Sequence, residues 1–452
     1  MTSLSNLLHL HLLLLAWLLA ASADSPEPRL SPSEQESAYL VLEAINPAID
    51  WRSLYPDDLC FSGPHGVVCD LLADEEEIHV TELSFGYLSD YSSNPPCGEN
   101  PHFAPPISSF PFLRKLFFYN CFAGSPVSLP GYFWNLSSSL EELVFIENPS
   151  LIGHLSGEIG KYSSLRRLVV SGSGISGNVP AEVGKLRALE QLVLSRSRFD
   201  GAIPASVGDL GRLRILDLSA NRLGGELPAE IGRPGGLLKL DLSKNGLRGV
   251  IPDRLIGLRE ELEFLDLSDN RFEGGVPLFL AWMGRLRELH LSRNPLGGHL
   301  PEIWEGLGGI LGIGFSGLGL VGKIPASMGA FLSNLSYLGM EDNHLEGEVP
   351  IEWGRFEKNL KELNLENNRL NGRVPFSADF VARIGEKLRL SGNPGLCLAA
   401  ETGNKSGNPQ PVLFRSSLLA SSTVSTSGGF HVSSHRSFFT WSLCFFIYLL
   451  RF

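Results

Sequence analysis

Residues 213–228 read LRILDLSANRLGGELP, and variants of this stretch recur along most of the chain. The pattern Leu-x-x-Leu-x-Leu begins at ten positions that are 24 or 25 residues apart. A divergent copy begins at Leu113 and a truncated copy at Lys387, so we expect about eleven coils. A period of this length is typical of a solenoid, in which each repeat packs only on its neighbours. The ten leading residues are Leu140, Leu165, Leu189, Leu213, Leu237, Leu262, Leu286, Ile310, Leu335 and Leu360.

The leucines within each copy predict a short strand. In residues 216–221 they face the core, whereas Asp217 and Ser219 face outward. The Asn that follows is expected to bond backbone groups of neighbouring coils, which would otherwise be buried and unpaired. Ser173, Ser197 and Leu318 interrupt this series, and we expect lower stability there. The asparagines are Asn148, Asn221, Asn245, Asn270, Asn294, Asn343 and Asn368.

A second motif, Gly-x-[Val/Ile/Leu]-Pro, follows twelve residues after the leading position in nine consecutive copies, from 177–180 to 372–375. Glycine permits the turn, and proline fixes φ on the way to a helical turn on the convex side. Together the motifs predict an α/β solenoid, a curved superhelix with a parallel sheet along its concave face.

The combined pattern LxxLxLxxNxLxGxIP resembles the plant-specific leucine-rich repeat of receptor-like kinases, receptor-like proteins and polygalacturonase inhibitors. The resemblance covers roughly residues 110–396. Residues 43–70 are similar to the N-terminal cap of these proteins, with Trp51 and two cysteines that flank Gly66 and Val67. Pro64 stands where the family usually has a second Trp. The resemblance implies a cell-surface protein that binds a partner, and the cap phrases favour the receptor-like proteins.

Both ends of the chain predict processing. The apolar run at 7–20 and the small residues Ala21 to Ala23 indicate a signal peptide that spans residues 1–23, although its first residues lack Lys and Arg. A membrane-spanning anchor is the alternative reading of this run. We therefore expect a cap region at 24–109, repeats at 110–396, a flank and Ser/Gly-rich linker at 397–437, and an apolar tail at 438–452.

The tail follows Ser427, two glycines and an eight-residue polar spacer, which is the order of a glycosylphosphatidylinositol attachment signal. We expect Ser427 to carry the lipid and the tail to be removed. A transmembrane helix is the competing interpretation, but fifteen residues reach only about 22 Å, short of the roughly 30 Å hydrocarbon core.

A secreted chain is expected to form disulfide bonds and to carry N-linked glycans. Cys60 with Cys69 and Cys97 with Cys121 are the natural disulfide pairs by proximity, although four cysteines allow three connectivities. Cys397 has no evident partner. Glycosylation sequons begin at Asn135, Asn334 and Asn404.

Composition and motifs exclude other classes of function. The 37 basic and 49 acidic side chains give a net charge of −12 without a basic stripe, so nucleic acid is not an expected partner. Three Gly-x-Gly-x-x-Gly strings fall inside repeat turns and lack the context of dinucleotide binding. No H-E-x-x-H, G-x-S-x-G, Walker A or kinase motif occurs, so we expect neither an enzyme nor a cofactor.

Binding is therefore expected on the outward strand positions. The column between the second and third leucines contains an apolar strip that ends at Val193, then three acids and His290. The acids would attract a basic peptide, although an acid at this place of the repeat is also commonly structural. The Gly-rich copy at 310–334 offers either a bare patch for a partner's side chain or merely a degenerate repeat. Our candidate partner-binding residues are Val193, Asp217, Asp241, Asp266, Phe264, His290 and Tyr337.

The resulting hypothesis is a receptor-like protein without a kinase domain that binds a protein or peptide on its concave face. The resemblance implies a membrane-bound receptor kinase as co-receptor, and a role in plant–microbe interaction or development. The alternative is an extracellular inhibitor of microbial wall-degrading enzymes, of the polygalacturonase-inhibitor type.

Overall fold

Each copy of the repeat forms one coil with the same three parts. In the copy that starts at Leu213, Ile215–Asp217 and Arg222–Glu226 are strands and Ala229–Gly232 is a 3-10 helix. Pro228, with φ of −61°, directly precedes that helix. Leucines of both strands and an isoleucine of the helix point into the coil and are buried. Each coil therefore encloses its own apolar centre, which is closed above and below by the next coils.

The computed structural model describes residues 29–72, 77–86, 94–398 and 412–413, all within one compact unit that ends at Phe414. The predicted signal peptide, Asn404, Ser427 and the apolar tail lie outside the described residues.

The first strand of every coil joins a 14-stranded sheet in the described part of the chain. Its strands are parallel in sequence order, except that β1 and β2 are antiparallel. Twelve of them, from β3 to β24, come from repeats, because the divergent and the truncated copy each supply one. The predicted fold is confirmed, with one strand more than the expected number of coils. The strands are β1 Val67–Leu71, β2 Ile78–Phe85, β3 Lys115–Tyr119, β5 Glu142–Ile146, β7 Arg167–Ser171, β9 Gln191–Val193, β11 Ile215–Asp217, β13 Lys239–Asp241, β15 Phe264–Asp266, β17 Glu288–His290, β18 Gly312–Gly314, β20 Tyr337–Gly339, β22 Glu362–Asn364 and β24 Leu388–Arg389.

The segment after each ladder position forms further sheets that the sequence analysis had taken for turns. One has the strands β4 Val127–Ser128, β6 Leu151–His154, β8 Gly174–Asn178, β10 Arg198–Ala202, β12 Arg222–Glu226, β14 Gly246–Val250 and β16 Arg271–Glu273. The other has β19 Val321–Lys323, β21 His344–Glu348, β23 Arg369–Arg373, β25 Gly395–Leu398 and β26 Val412–Leu413.

These two sheets are separated where successive coils each carry a pair of glycines. Gly274 and Gly275, then Gly297 and Gly298, all have positive φ. Two left-handed residues in a row are incompatible with a regular strand, so the pairing is reduced there to a single bridge between His299 and Val321.

The helical elements lie on the opposite side of each coil or in the cap. The α-helices are α1 Pro32–Ile45, α2 Trp51–Leu54, α3 Leu59–Ser62, α4 Ala326–Phe331 and α5 Ala378–Ile384. The 3-10 helices are Pro105–Ser108, Gly131–Asn135, Gly157–Lys161, Ala181–Lys185, Ala205–Asp209, Ala229–Gly232, Asp253–Leu258, Leu278–Trp282, Trp304–Leu307, Ile351–Lys358 and Gly385–Lys387.

A ladder of asparagine side chains connects the coils. The Asn245 amide nitrogen donates to the Leu218 carbonyl of the preceding coil at 3.0 Å and to Leu242 of its own coil at 3.1 Å. Its Oδ1 accepts from the Leu223 amide at 3.0 Å. Asn393, in the truncated copy, repeats these bonds and extends the ladder beyond the predicted set. The residue before each ladder position turns the chain, with φ between 48° and 58° where it is not glycine.

The interruptions are satisfied in other ways. The Ser173 and Ser197 hydroxyls lie 3.1 Å apart, and the Ser173 amide donates to the Ser197 hydroxyl at 3.3 Å. At Leu318 the next asparagine compensates, because Asn343 Oδ1 accepts from the amides of both Leu318 and Leu320. The serines thus replace the four hydrogen bonds of an asparagine such as Asn245 with weaker contacts, so lower local stability remains our expectation.

The cap continues into the solenoid without a break. Strand β2 pairs with β3, and disulfides join Cys60 to Cys69 and Cys97 to Cys121. An aromatic cluster fills the boundary, where Phe118 and Phe145 take the place of a repeat leucine. Phe103 of the cap packs against Phe118, Phe122 and Phe145 with ring centroids 4.8 to 6.4 Å apart. The cap therefore shields the apolar end of the first coil.

Asn245→Ala tests the ladder. The substitution leaves one amide and three carbonyls of two coils without this side-chain partner, so we expect the free energy of unfolding to fall by about 2–4 kcal/mol. Urea denaturation of the full chain measures the loss. Asn371→Ala, at an exposed position of β23, is the matched control and should change it by less than about 0.5 kcal/mol. Equal effects of the two substitutions would contradict the role of the ladder.

Candidate ligand-binding face

The concave face is the side of the 14-stranded sheet that lies opposite the buried leucines. One column of residues runs along its middle, with adjacent members paired in register from β5 to β22. The predicted stacking of this column is confirmed. Its members are Val144, Val169, Val193, Asp217, Asp241, Asp266, His290, Gly314, Gly339 and Asn364.

The column is less exposed than the sequence analysis expected. Val193, Asp217, Asp241 and His290 are only 4, 5, 7 and 9% exposed, and Asp266 is half-buried. Longer side chains from the flanking positions of the same strands cover it. The expectation that the side chains of Val193, Asp217, Asp241 and His290 are exposed is therefore wrong, and contact of these residues with a partner stays a prediction.

Lys239 neutralises two of the acids from within the chain. Its Nζ lies 3.2 Å from Asp217 Oδ2 and 3.4 Å from Asp241 Oδ2, and all three side chains are at most 12% exposed. The same ammonium lies 5.1 Å from the centre of the Phe264 ring, which is a cation–π geometry. The carboxylates that were expected to attract a basic peptide already hold a basic side chain.

The acids also fold their own turns. Asp217, Asp241 and Asp266 each accept two hydrogen bonds, from the amide and the hydroxyl of the serine two residues later. The Asp and Ser of the Leu-Asp-Leu-Ser motif therefore have a structural role, because they stabilise the turn that follows each strand.

Burial and neighbouring charges shift the pKa values of Asp241, Lys239 and His290. Burial, followed by the charges of Asp217 and Asp266, raises the pKa of Asp241 from 3.8 to about 7. Burial lowers the pKa of Lys239, but Asp217 and Asp241 together raise it above its ordinary value. The pKa of His290 is also raised, because Glu288 and Asp266 outweigh the opposite effect of burial.

The apolar strip at the N-terminal end is covered as well. Val144 and Val169 are 1% and 3% exposed. Charged pairs lie beside them, with Arg167 Nη1 3.0 Å from Glu142 and Arg196 Nη1 2.7 Å from Glu147. The strip contributes to the fold and does not form an open apolar surface.

The partly exposed groups of the concave face lie further along, between β15 and β22. Phe264 and Tyr337 are half-buried, and the Phe264 ring centre is 5.9 Å from that of His290. Burial, aided by Glu341 and Glu362, raises the pKa of Tyr337, so its phenol stays protonated. Of the predicted contact residues, Phe264, Asp266 and Tyr337 are the ones that a partner can reach.

The Gly-rich copy is not bare. A side chain at Gly312 would overlap Glu288 Oε2, and one at Gly314 would come within 2.7 Å of His290 Nδ1. A side chain at Gly339 would lie 2.5 Å from the Tyr337 hydroxyl and 3.2 Å from Glu341 Oε2. The glycines leave space over β18 for Glu288 and His290 of the preceding strand, and space over β20 for Tyr337 and Glu341 of the same coil. The sequence analysis did not predict that Glu288 and Glu341 occupy the space above these glycines.

Other predicted positions fall in the described residues without forming a site. Asn135 and Asn334 are exposed, as a glycan acceptor must be, and Cys397 is a half-buried thiol. In the described ranges, no group of three His, Cys, Asp or Glu side chains has the arrangement of a metal site. The same ranges contain no helix with the length and apolarity needed to cross a bilayer.

Asp241→Asn tests the charge balance of the column. A carboxyl with a raised pKa binds its proton more tightly in the folded chain, so its contribution to stability is complete below pH 3.8 and is lost as the pH rises through about 7. Removing this carboxyl should flatten the decline of the free energy of unfolding across that pH range. Denaturation at several pH values measures the slope. Asp253→Asn, at an exposed site, should leave it as in the native chain.

Known proteins are similar to parts of this chain in sequence and to most of it in fold. The Leucine Rich Repeat family matches residues 212–233, 261–283, 285–307 and 359–378. Piriformospora indica-insensitive protein 2 of Arabidopsis thaliana is 36% identical over 155 residues, which are 34% of this chain and 36% of that protein. Protein TOO MANY MOUTHS of Arabidopsis thaliana is 35% identical over 140 residues, 30% of this chain and 27% of that protein. The alignments thus span about a third of these relatives.

A solved structure extends the similarity to most of the solenoid. It is the leucine-rich-repeat ectodomain of the plant membrane receptor kinase GASSHO1/SCHENGEN3 from Arabidopsis thaliana, in complex with CASPARIAN STRIP INTEGRITY FACTOR 2. The TM-score is 0.63 at 26% identity, over 81% of this chain and 44% of that chain. The chain thus has the fold of a plant leucine-rich-repeat ectodomain and is similar in sequence to plant receptor-like proteins.

Proposed function

We propose that the chain is a cell-surface receptor-like protein that binds a protein or peptide partner on its concave face. The observation that carries this proposal is the pair of partly exposed aromatic side chains, Phe264 and Tyr337, on a face otherwise closed by its own ion pairs. Half-buried aromatics on a rigid sheet are typical anchors of protein interfaces. The ectodomain with the similar fold was itself solved in complex with another molecule.

Signalling would then need a second protein. A membrane-bound receptor kinase is the co-receptor in this proposal, as the resemblance to receptor-like proteins implies. Plant–microbe interaction and development are the processes that the resemblance to receptor-like proteins supports.

The proposal places the protein on the extracellular face of the plasma membrane, after passage through the secretory pathway. The sequence pattern of a signal peptide at 1–23 and the glycosylation sequons that begin at Asn135, Asn334 and Asn404 support this route. The order of Ser427, spacer and apolar tail supports a lipid anchor at the C-terminal end.

Substitution of the aromatic anchors tests the binding face. The variant Phe264→Ala with Tyr337→Ala should lose co-purification of a receptor kinase from plant membranes, because truncation of an interface anchor costs about 2 kcal/mol or more. Quantitative mass spectrometry of proteins bound to the full-length chain measures the loss.

Trp282→Ala is the matched control for this experiment. Trp282 is an aromatic residue with 61% exposure that lies outside the concave sheet, in the 3-10 helix Leu278–Trp282. Its replacement should leave the kinase bound. Equal loss in both variants, or inhibition of a microbial polygalacturonase by the purified chain, would contradict the proposal.

Phosphatidylinositol-specific phospholipase C tests the anchor. Treatment of intact plant cells should release most of the protein into the medium, since the enzyme cleaves the lipid from the attached glycan. Immunoblotting of medium and cells measures the released fraction, with mock-treated cells as the control. Complete retention on the membrane would contradict a lipid anchor.

A further inference from the structure

One apolar side chain of the helical layer lies on the surface, although its counterparts in other coils are buried. Phe331 stands 21 residues after the leading residue of its coil and is 41% exposed. The residue at the same place is buried in the coils that begin at 165, 189, 213, 237, 262, 286 and 335. Those buried residues are Leu186, Leu210, Pro234, Leu258, Met283, Leu307 and Phe356. Phe331 thus does not contribute to the core as its counterparts do.

The type of the local helix turns Phe331 out of the core. Ala326–Phe331 is an α-helix, whereas Phe356 lies in a 3-10 helix. The Leu332 amide donates to the Met328 carbonyl, four residues earlier, at 3.0 Å. Because an α-helix has more residues per turn than a 3-10 helix, the buried place falls one residue later and is filled by Leu332. The Phe331 ring is left exposed.

A glycosylation sequon begins three residues after this ring. The Leu335 amide donates to the Leu332 carbonyl at 3.0 Å, so the chain turns between Phe331 and Asn334. The two leucines of the turn are buried, whereas Phe331 and Asn334 are exposed. The turn therefore presents the aromatic ring and the glycan acceptor on its outer side.

Phe331 and Asn334 also lie against the same residue of the preceding coil. The Asn334 Nδ2 donates to the Gly308 carbonyl at 3.2 Å. A side chain at Gly308 would lie 3.6 Å from the Phe331 carbonyl oxygen. The bare glycine leaves room beside both residues, and the hydrogen bond holds the Asn334 amide on this side of the coil.

The sequon at Asn135 has no such ring beside it among the described residues. Asn135 ends the 3-10 helix Gly131–Asn135. Tyr132, three residues earlier, is half-buried, and its hydroxyl donates to the Phe103 carbonyl at 2.7 Å. That bond holds the ring against the cap. Asn135 is therefore an internal comparison for Asn334.

The Asn334 amide has one hydrogen for the bond to Gly308 and one that a sugar replaces. In the transfer, Nδ2 attacks the anomeric carbon of an oligosaccharide that is carried on a lipid pyrophosphate. The new C–N bond forms, the C–O bond to the pyrophosphate breaks, and one amide proton leaves. The C–H groups on one face of N-acetylglucosamine carry partial positive charge, which matches the negative face of an aromatic ring.

We propose that the first N-acetylglucosamine of a glycan on Asn334 packs on the Phe331 ring and shields it from water. The sugar is then part of the folded surface and stabilises the chain. The inference goes beyond partner binding, and it rests on the proposed passage through the secretory pathway, where the transfer takes place.

Release of the glycan under native conditions tests the contact. The full-length sequence is expressed in plant cells with kifunensine, which keeps the glycans in the high-mannose form, and the protein is treated with peptide-N-glycosidase F. Mass spectrometry follows release at each site as conversion of Asn to Asp. Phe331→Ala should speed release at Asn334 about threefold or more, the typical worth of an aromatic contact, and should leave the rate at Asn135 unchanged.

Phe61→Ala is the matched control. Phe61 is 61% exposed in helix α3 of the cap, and its replacement should change both rates less than about twofold. Equal release at Asn334 with and without the Phe331 ring, or faster release at both sites, would overturn the inference. So would an unmodified Asn334 in a chain that carries a glycan at Asn135. A chain without a glycan at either site would contradict the secretory route as well.

A thermodynamic cycle measures the stabilisation. Ser336→Ala removes the sequon but keeps Asn334 and the backbone bond from the Ser336 amide to the Leu311 carbonyl. After endoglycosidase H has trimmed each glycan to its first sugar, Ser336→Ala should lower the midpoint of thermal unfolding by about 2 °C. In the Phe331→Ala background it should have no effect, because the sugar has lost its contact.

An equal loss in the two backgrounds contradicts packing on Phe331. Mass spectrometry confirms the occupancy of Asn334 in each variant, and the release rates decide if Phe331→Ala lowers it, because only glycosylated chains contribute to those rates. None of these measurements uses the kinase, so they can fail while binding on the concave face stands.

Discussion

The bridge made by the Asn245 amide group, which bonds three carbonyls and one amide across two coils, is the interaction on which the other features depend. A coil of this size cannot pair all of its backbone groups internally. The tight turn before each ladder position, with φ near 50°, would leave polar groups buried in an apolar centre. One asparagine per coil satisfies them, and the same bonds fix the spacing and register of adjacent coils. The continuous 14-stranded sheet follows from that register.

The register has consequences for charge. Equivalent residues of successive coils lie side by side in the sheet. A repeated motif such as Leu-Asp-Leu-Ser therefore stacks carboxylates on neighbouring strands. The chain reduces the resulting repulsion with serine hydrogen bonds and with Lys239. The concave face is thus stabilised by its own side chains along much of its length. The region between β15 and β22 is different, because aromatic and acidic groups there remain partly accessible.

Sequence reasoning predicted the features that the repeat specifies directly: the coils, the ladder, the parallel sheet and the order of the central column. It did not predict the additional sheets, because their glycines and prolines are also typical of turns. Exposure was predicted wrongly for Asp217 and Asp241, since the covering residue Lys239 belongs to another column and its direction depends on the partners it finds.

Whether a partner contacts the region between β15 and β22 is most directly measured by site-specific photo-crosslinking in intact plant cells. A photoreactive phenylalanine derivative in place of Tyr337 should form a covalent product with the partner, and the same group in place of Trp282 should not. A partner captured from position 282 and not from position 337 would contradict binding on the concave face.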